Sequence, residues 1–519
     1  MRRRLRSSPP ERRPPVPSAA RPARSTAPRA LAVIALATAL AACGAEDGGD
    51  TRPVGNAWGA LSFTPCSLAG MASRTGVEAR CTTLEVAEDP ARPDGRKIPL
   101  NIAWVPASNE ADATTDPVFF LSGGPGQSAV RTYPDLAAAF KEVRKTRHVI
   151  LVDQRGTGQS NLLACPPEEG EELLDADDMG TAALRCRDKL QARADLRFYT
   201  TGDAVRDLDS VRQALGVEKI NLMGVSYGTR VAQQYALQHP QHTRTVLLDS
   251  VVPNTLPLGN LWARNLEDAL ALQFGRCEQQ ASCRDKLGVP REQLDALMAR
   301  LRSDPPLVRY RDASTHEQRE ERLKPEMVAG LVRMFAYAPQ AAALLPNMIH
   351  EANAGRHDAL MALARMLTQN MGESMAMGMQ FSVVCAEDAD SMVAREEDRD
   401  TLLGNSITEG IAAACKVWPR GETAANFRTP LSGDTPVLAI SGEFDPVTPP
   451  RYGDEAIAQL AQARHLVLRG QGHNVLGAGC MPKLFAQFVE RADAKGLDAA
   501  CLDNLSYTPP FTSFNGWEP

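Results

Sequence analysis

"KINLMGVSYGTRVAQQYALQHP" (Lys219–Pro240) contains the turn from which the fold is read. Lys219–Ser226 opens on a short apolar run, the composition of a strand buried on both faces. Gly228–Pro240 has a helix-forming composition and stops at Pro240, which cannot continue a helix. Between them stands "GVSYG" (Gly224–Gly228), of the form G-x-S-x-G. At a strand-to-helix junction this pattern is a nucleophile elbow. A sharp turn lifts the serine hydroxyl above the sheet edge, and larger flanking residues would clash there. Ser226 is therefore the candidate nucleophile.

Outward from the elbow, strand-like and helix-like segments alternate. Apolar runs precede glycine-containing loops at "PVFFLS" (Pro117–Ser122) and "HVILVDQ" (His148–Gln154). "KIPLNIAWVPA" (Lys97–Ala107) and "TRTVLLDSV" (Thr243–Val251) also read as strands, and "DAVRDLDSVRQALGV" (Asp203–Val217) shows helical spacing. Continuous apolar strands separated by helices imply a mostly parallel sheet covered on both sides. From about 254 to 430 this rhythm gives way to helical stretches, with methionines clustered in "MALARMLTQNMGESMAMGMQ". Such a cluster is adaptable core packing or the lining of a forgiving pocket. Strands and helices alternate again from 431 to 519.

Ser226 needs a base and an orienting acid, which in this arrangement follow it in the order acid, histidine. "ISGEFDPVTPP" places Asp445 in the loop after one late strand, and "LRGQGHNVL" places His473 after the next. Both fall on the elbow's edge of the sheet, where ligands and catalytic groups collect. Glu443 is nearer the strand, Asp454 falls inside the next helix, and His465 begins a strand on the opposite edge. Attack by Ser226 creates an oxyanion that needs two N–H donors. Tyr227, directly after the nucleophile, supplies one. "LSGGPGQ" (Leu121–Gln127) supplies the other, from Gly124 or Gly123, because glycines let the backbone approach closely.

The N-terminal 42 residues are expected to lie outside the fold. Residues 1–29 carry nine arginines and one glutamate. An apolar run of 13 follows (Ala30–Ala42), too short to span a membrane and suited to a secretory signal. "LAAC" (Leu40–Cys43) has the form of a bacterial lipobox, implying cleavage before Cys43 and its lipidation. The expected product is an exported lipoprotein of the cell envelope, or a periplasmic or extracellular protein, touching membrane only through that anchor. Without the leader the net charge moves from −6 to −14, which disfavours nucleic-acid binding. Ten further cysteines, an even count in an exported chain, favour disulfides. Sequential pairing is the economical arrangement: 66–81, 165–186, 277–283, 385–415 and 480–501. With no CxxC, HxxxH or HExxH, no metal site is expected, and the chemistry requires no cofactor.

"GGPG", "DQRGTGQS" (Asp153–Ser160), "GVSYGTR", "GEFDPVTP" and "GQGH" together resemble the proline iminopeptidase and tripeptidyl aminopeptidase group of serine peptidases, over residues 60 to 505 or so. The resemblance implies an α/β-hydrolase fold with a helical cap after the sixth strand, and release of residues from free peptide N-termini. The expected division is leader 1–42, linker 43–58, first core part 59–253, cap 254–430 and C-terminal core part 431–519. The family loop often reads HGGPG, whereas Ser122 holds the histidine position here. An aminopeptidase must pair the substrate ammonium with a carboxylate, and "FSVVCAEDAD" (Phe381–Asp390) offers Glu387 by resemblance, with Asp388 beside it. A disulfide-flanking surface acid is the other reading of Glu387. The same machinery would serve a carboxylesterase acting on small esters, since fold does not fix substrate. A surface binding module without catalysis is disfavoured by the intact Ser, Asp, His order.

Overall fold

A computed structural model describes residues 52–71, 76–165, 176–312 and 315–515. The expected leader and Cys43 lie outside the described residues. Nine strands form one sheet, in the spatial order Ala463–Leu468, Val437–Gly442, Thr243–Asp249, Ile220–Val225, Val118–Leu121, Val149–Val152, Lys97–Val105, Val77–Ala87 and Thr64–Leu68. Neighbours from Ala463–Leu468 through Val149–Val152 pair in parallel, and the remaining pairs are antiparallel.

Each central strand is apolar throughout because both faces are covered. Phe119, Ile150 and Leu222 point into one hydrophobic cluster, and their neighbours Phe120, Leu151 and Met223 into the other. The period-two geometry of a strand divides each run between two cores. The helix Thr201–Leu215 begins at a capping box between Thr200 and Asp203 and ends at Gly216 in the left-handed conformation. Its core face carries Val205, Leu208, Val211 and Leu215.

The cap segment leaves the sheet after Thr243–Asp249 and returns at Val437–Gly442, strands that are direct neighbours (Val246 opposite Val437). The insertion is helical, with one addition to the sequence-based expectation. Leu307–Arg311 and Gln318–Arg322 form an antiparallel hairpin. Its exposed positions are charged except for Leu307 and Gln318, and only Val308 and Tyr310 are buried, so it lacks the apolar signal of a core strand. The core also starts earlier than expected: Trp58, assigned to the linker, is buried against Trp104 and His148.

All five disulfides join the pairs given by sequential pairing. Such bridges persist in oxidising compartments outside the cytoplasm, and each contributes about 2–4 kcal/mol. Cys385–Cys415 ties the helix Met377–Glu387, which carries Glu387, to the helix Ser406–Val417.

Candidate active site

The register brings the ends of five adjacent strands to one edge. Gly224 lies opposite both Leu121 and Leu248, Ile440 opposite Asp249, and Gly442 opposite Leu468. The residues that follow these strands are Ser226, the GGPG loop, Ser250, the Asp445 loop and the His473 loop.

Ser226 sits between the strand Ile220–Val225 and the helix Tyr227–Gln238 with φ 54° and ψ −123°. A non-glycine residue holds such a conformation only where its surroundings impose it. Here Ser226 N–H donates to the Asp249 carbonyl at 2.9 Å, and the Ser226 carbonyl accepts Thr229 N–H and hydroxyl. A Cβ on Gly228 would stand 2.2 Å from the Leu121 carbonyl oxygen, so the final glycine of G-x-S-x-G is required by close packing of the elbow on the neighbouring strand.

Asp445 and His473 are in direct contact: Nδ1 of the imidazole lies 2.8 Å from Asp445 Oδ2. The Asp445 side chain is fully buried. Its Oδ1 accepts the amides of Val447 (2.9 Å) and Thr448 (2.8 Å), and Oδ2 also accepts the Thr448 hydroxyl. Burial by itself would raise the Asp445 pKa, but the imidazole and these amides hold it below the usual carboxylate value. Burial by itself would lower the pKa of His473. Asp445 first, and then Asp249, outweigh burial and hold it above the ordinary imidazole value. From the cap, the Tyr337 backbone carbonyl accepts the His473 backbone N–H (2.8 Å), and the Tyr337 ring stands edge-on to the imidazole, centroids 5.1 Å apart.

The glycine loop lies against the elbow. A Cβ on Gly123 would stand 3.1 Å from Ser226 Cβ. Gly124 has φ 113°, a conformation open to glycine alone in practice, and faces Met375 of the methionine cluster. Ser122 Oγ donates to the Gln127 carbonyl at 2.7 Å and thereby braces the turn. A hydroxyl thus anchors the loop directly before its glycines. Gly126 C=O accepts Ala376 N–H at 3.0 Å, fastening the loop to the cap. Behind it, Asp153 accepts Asn101 Nδ2 and the amides of Val130 and Gln159, while Arg155 pairs with Asp207. Both residues brace the loops around the site.

The two acids of "CAED" have different fates. Asp388 is taken by two guanidiniums, Arg230 (3.1 Å) and Arg428. The Glu387 side chain is 1% exposed. Its Oε1 accepts Thr201 N–H at 2.7 Å, and Oε2 has no hydrogen-bond partner, with Arg230 3.7 Å away. Burial pushes its carboxyl up to about 7 against the pull of Arg230. Thr201 Oγ1 lies 2.7 Å from the hydroxyl of Tyr227, the residue after Ser226. Glu387 is therefore an interior group close to the elbow, not a surface acid.

Residues 116–283 match the family model described as alpha/beta hydrolase fold, and residues 400–501 match that of TAP-like protein. The chain has the α/β-hydrolase fold. It is similar to the serine protease Hip1 of Mycobacterium tuberculosis, 26% identical over 494 residues covering 86% of this chain and 92% of that protein. It is also similar to the tripeptidyl aminopeptidase of Streptomyces lividans, 30% identical over 190 residues, 33% of this chain and 35% of that one. The proline iminopeptidase of Neisseria gonorrhoeae is 27% identical over 135 residues, 26% of this chain and 32% of that one.

The structure adds to this α/β hydrolase what its sequence left unread. Thr448 supports Asp445 from within "DPVT", a turn pattern in which an Asp side chain accepts the following amides. Tyr337 comes from the cap and carries no local signal, whereas Met375 belongs to the methionine cluster the sequence already marked. Two residues set aside in the sequence also meet. His465 bridges Asp454 (Nδ1 to Oδ1, 2.8 Å) and Ser441 (Nε2 to Oγ, 2.9 Å), forming a second Ser–His–Asp grouping.

Proposed function

We propose that this α/β hydrolase is an exported serine exopeptidase that releases residues or short peptides from free peptide N-termini. Ser226 attacks the scissile carbonyl. His473 takes its proton and passes it to the leaving amine, and Asp445 holds the imidazole in the required tautomer. The oxyanion is met by the N–H of Tyr227 and that of Gly124 or its neighbour Gly123. Water then hydrolyses the acyl-enzyme by the same route.

The observation that carries the exopeptidase reading is Glu387. It is a closed carboxylate with one oxygen unpartnered, linked through Thr201 to the residue beside the nucleophile. A buried acid in that state is suited to an ammonium partner. Binding a cation there would also favour its ionised form over the neutral one that burial promotes. The number of residues released depends on how far the acyl carbon sits from Glu387. The test is a panel of mono-, di- and tripeptidyl chromogenic substrates, free and N-acylated, with wild type, Ser226→Ala and Glu387→Gln. Faster turnover of free-amine than of N-acylated substrates is expected. Equal turnover of acylated substrates and simple esters, unaffected by Glu387→Gln, would make the enzyme a carboxylesterase instead.

A further inference from the structure

Asp249 ends the strand Thr243–Asp249 and is fully buried. It faces two loops at once. Its backbone carbonyl accepts the Ser226 N–H. Its carboxylate accepts the N–H of Val475 on both oxygens (2.9 and 3.0 Å) and that of Leu476 on Oδ2 (2.9 Å). The next residue extends the link: Ser250 N–H donates to the Ile440 carbonyl, its hydroxyl accepts Asn474 N–H at 2.7 Å, and the hydroxyl donates to Asp249 Oδ1 at 3.2 Å. Ser250 and Asn474 both have positive φ, 59° and 69°, so the backbone on each side of the contact is held under constraint. The three residues after His473 are thereby fastened to the strand end that also fastens the elbow.

We propose that Asp249 is a positioning residue, whose carboxylate clamps the His473 loop to the Ser226 elbow and places a second negative charge behind the imidazole. The inference rests on the reading of Ser226 and His473 as nucleophile and base. A carboxylate suits this geometry. Two N–H groups, that of Val475 shared between both oxygens and that of Leu476 on Oδ2, donate to it together with the Ser250 hydroxyl, whereas an asparagine would set its NH2 against one of these donors. Burial pushes the Asp249 carboxyl up to about 6 despite the amides of Val475 and Leu476, so it is ionised above that pH. The charged groups acting on His473 are Asp445 and Asp249, which favour the imidazolium, and Arg333, which opposes it. Removing the charge at 249 lowers the pKa of His473.

The test compares wild type, Asp249→Asn, Ser250→Ala and Ser226→Ala as full chains, with active sites counted by fluorophosphonate titration. Asp249→Asn is expected to lower kcat per active site about 10- to 100-fold with KM little changed, as for a small misplacement of a reacting group. The acid limb of its kcat/KM profile shifts to lower pH. Ser250→Ala lowers kcat by a smaller factor and leaves the limb in place. A purely structural role would lower the melting temperature and the active fraction only, and wild-type kcat and limb in the titrated Asp249→Asn overturn the proposal. Should that variant fail to fold, unchanged kcat in Ser250→Ala overturns it. Full activity in Ser226→Ala would instead sink the underlying reading of the nucleophile.

Discussion

Ser226, His473 and Asp445 on one side, and Ser441, His465 and Asp454 on the other, are the same three residue types within one fold. In both groups the histidine Nδ1 lies 2.8 Å from a carboxylate oxygen. Their surroundings are reversed. Asp445 is fully buried, so its charge acts on the imidazole with little screening, whereas Asp454 is 73% exposed. Ser226 stands on a strained turn and is partly exposed, while Ser441 lies inside the strand Val437–Gly442 and is fully buried. Ser226 has a glycine loop beside it. His465 joins Ser441 on its strand to the helix Pro450–Ile457, which carries Asp454. On the proposed reading, the difference teaches that the Ser441–His465–Asp454 contacts alone do not make a hydrolytic centre. The serine must be reachable, the acid shielded and the oxyanion provided for.

Substitutions made in parallel at both groups test that distinction. The largest effect is expected at the serines: Ser226→Ala lowers kcat about 10⁶-fold, while Ser441→Ala leaves it unchanged. Comparable losses at both would erase the distinction. At the acids, Asp445→Asn lowers kcat about 10⁴-fold by permitting the wrong imidazole tautomer, and Asp454→Asn has no effect on turnover. Outside both groups, Glu387→Gln raises KM for free-amine substrates about 10- to 100-fold, the range of a lost hydrogen bond to a charged group. KM for N-acylated substrates stays constant, and a parallel rise in both would remove Glu387 from the recognition of the amine.

The pH dependence is a finer measure. The base must be neutral to accept the serine proton, and His473 is held above the ordinary imidazole value. The acid limb of kcat/KM is therefore expected above 6.5, read from initial rates across pH. A limb at or below that value would mean that burial outweighs the two carboxylates. The smallest effect is on stability. Ser441→Ala removes one buried hydrogen bond and costs about 1 kcal/mol in denaturant unfolding. No loss would show that His465 finds another partner.

The elbow was legible in the sequence because its constraint is local. Gly224, Ser226 and Gly228 lie within five residues, and the apolar strand before them and the helix after them supply the context. Asp445 and His473 were legible because each follows an apolar strand in a short loop, and strand ends on one sheet edge converge. The hairpin Leu307–Arg322 was not legible, because its apolar side is two residues wide.

By itself, the sequence determined the sheet, its interruption, the placement of Ser226, Asp445 and His473 at one sheet edge and a workable disulfide pairing, since all of these depend on residue types at short spacing. Tertiary structure alone decided between groups of identical composition. It buried Asp445 and left Asp454 in water, gave Asp388 to Arg230 and Arg428 while leaving Glu387 an open oxygen, and set Asp249 between the elbow and the histidine loop. Those outcomes depend on solvent access and on partners distant in the chain, and neither property is carried by any short stretch of residues.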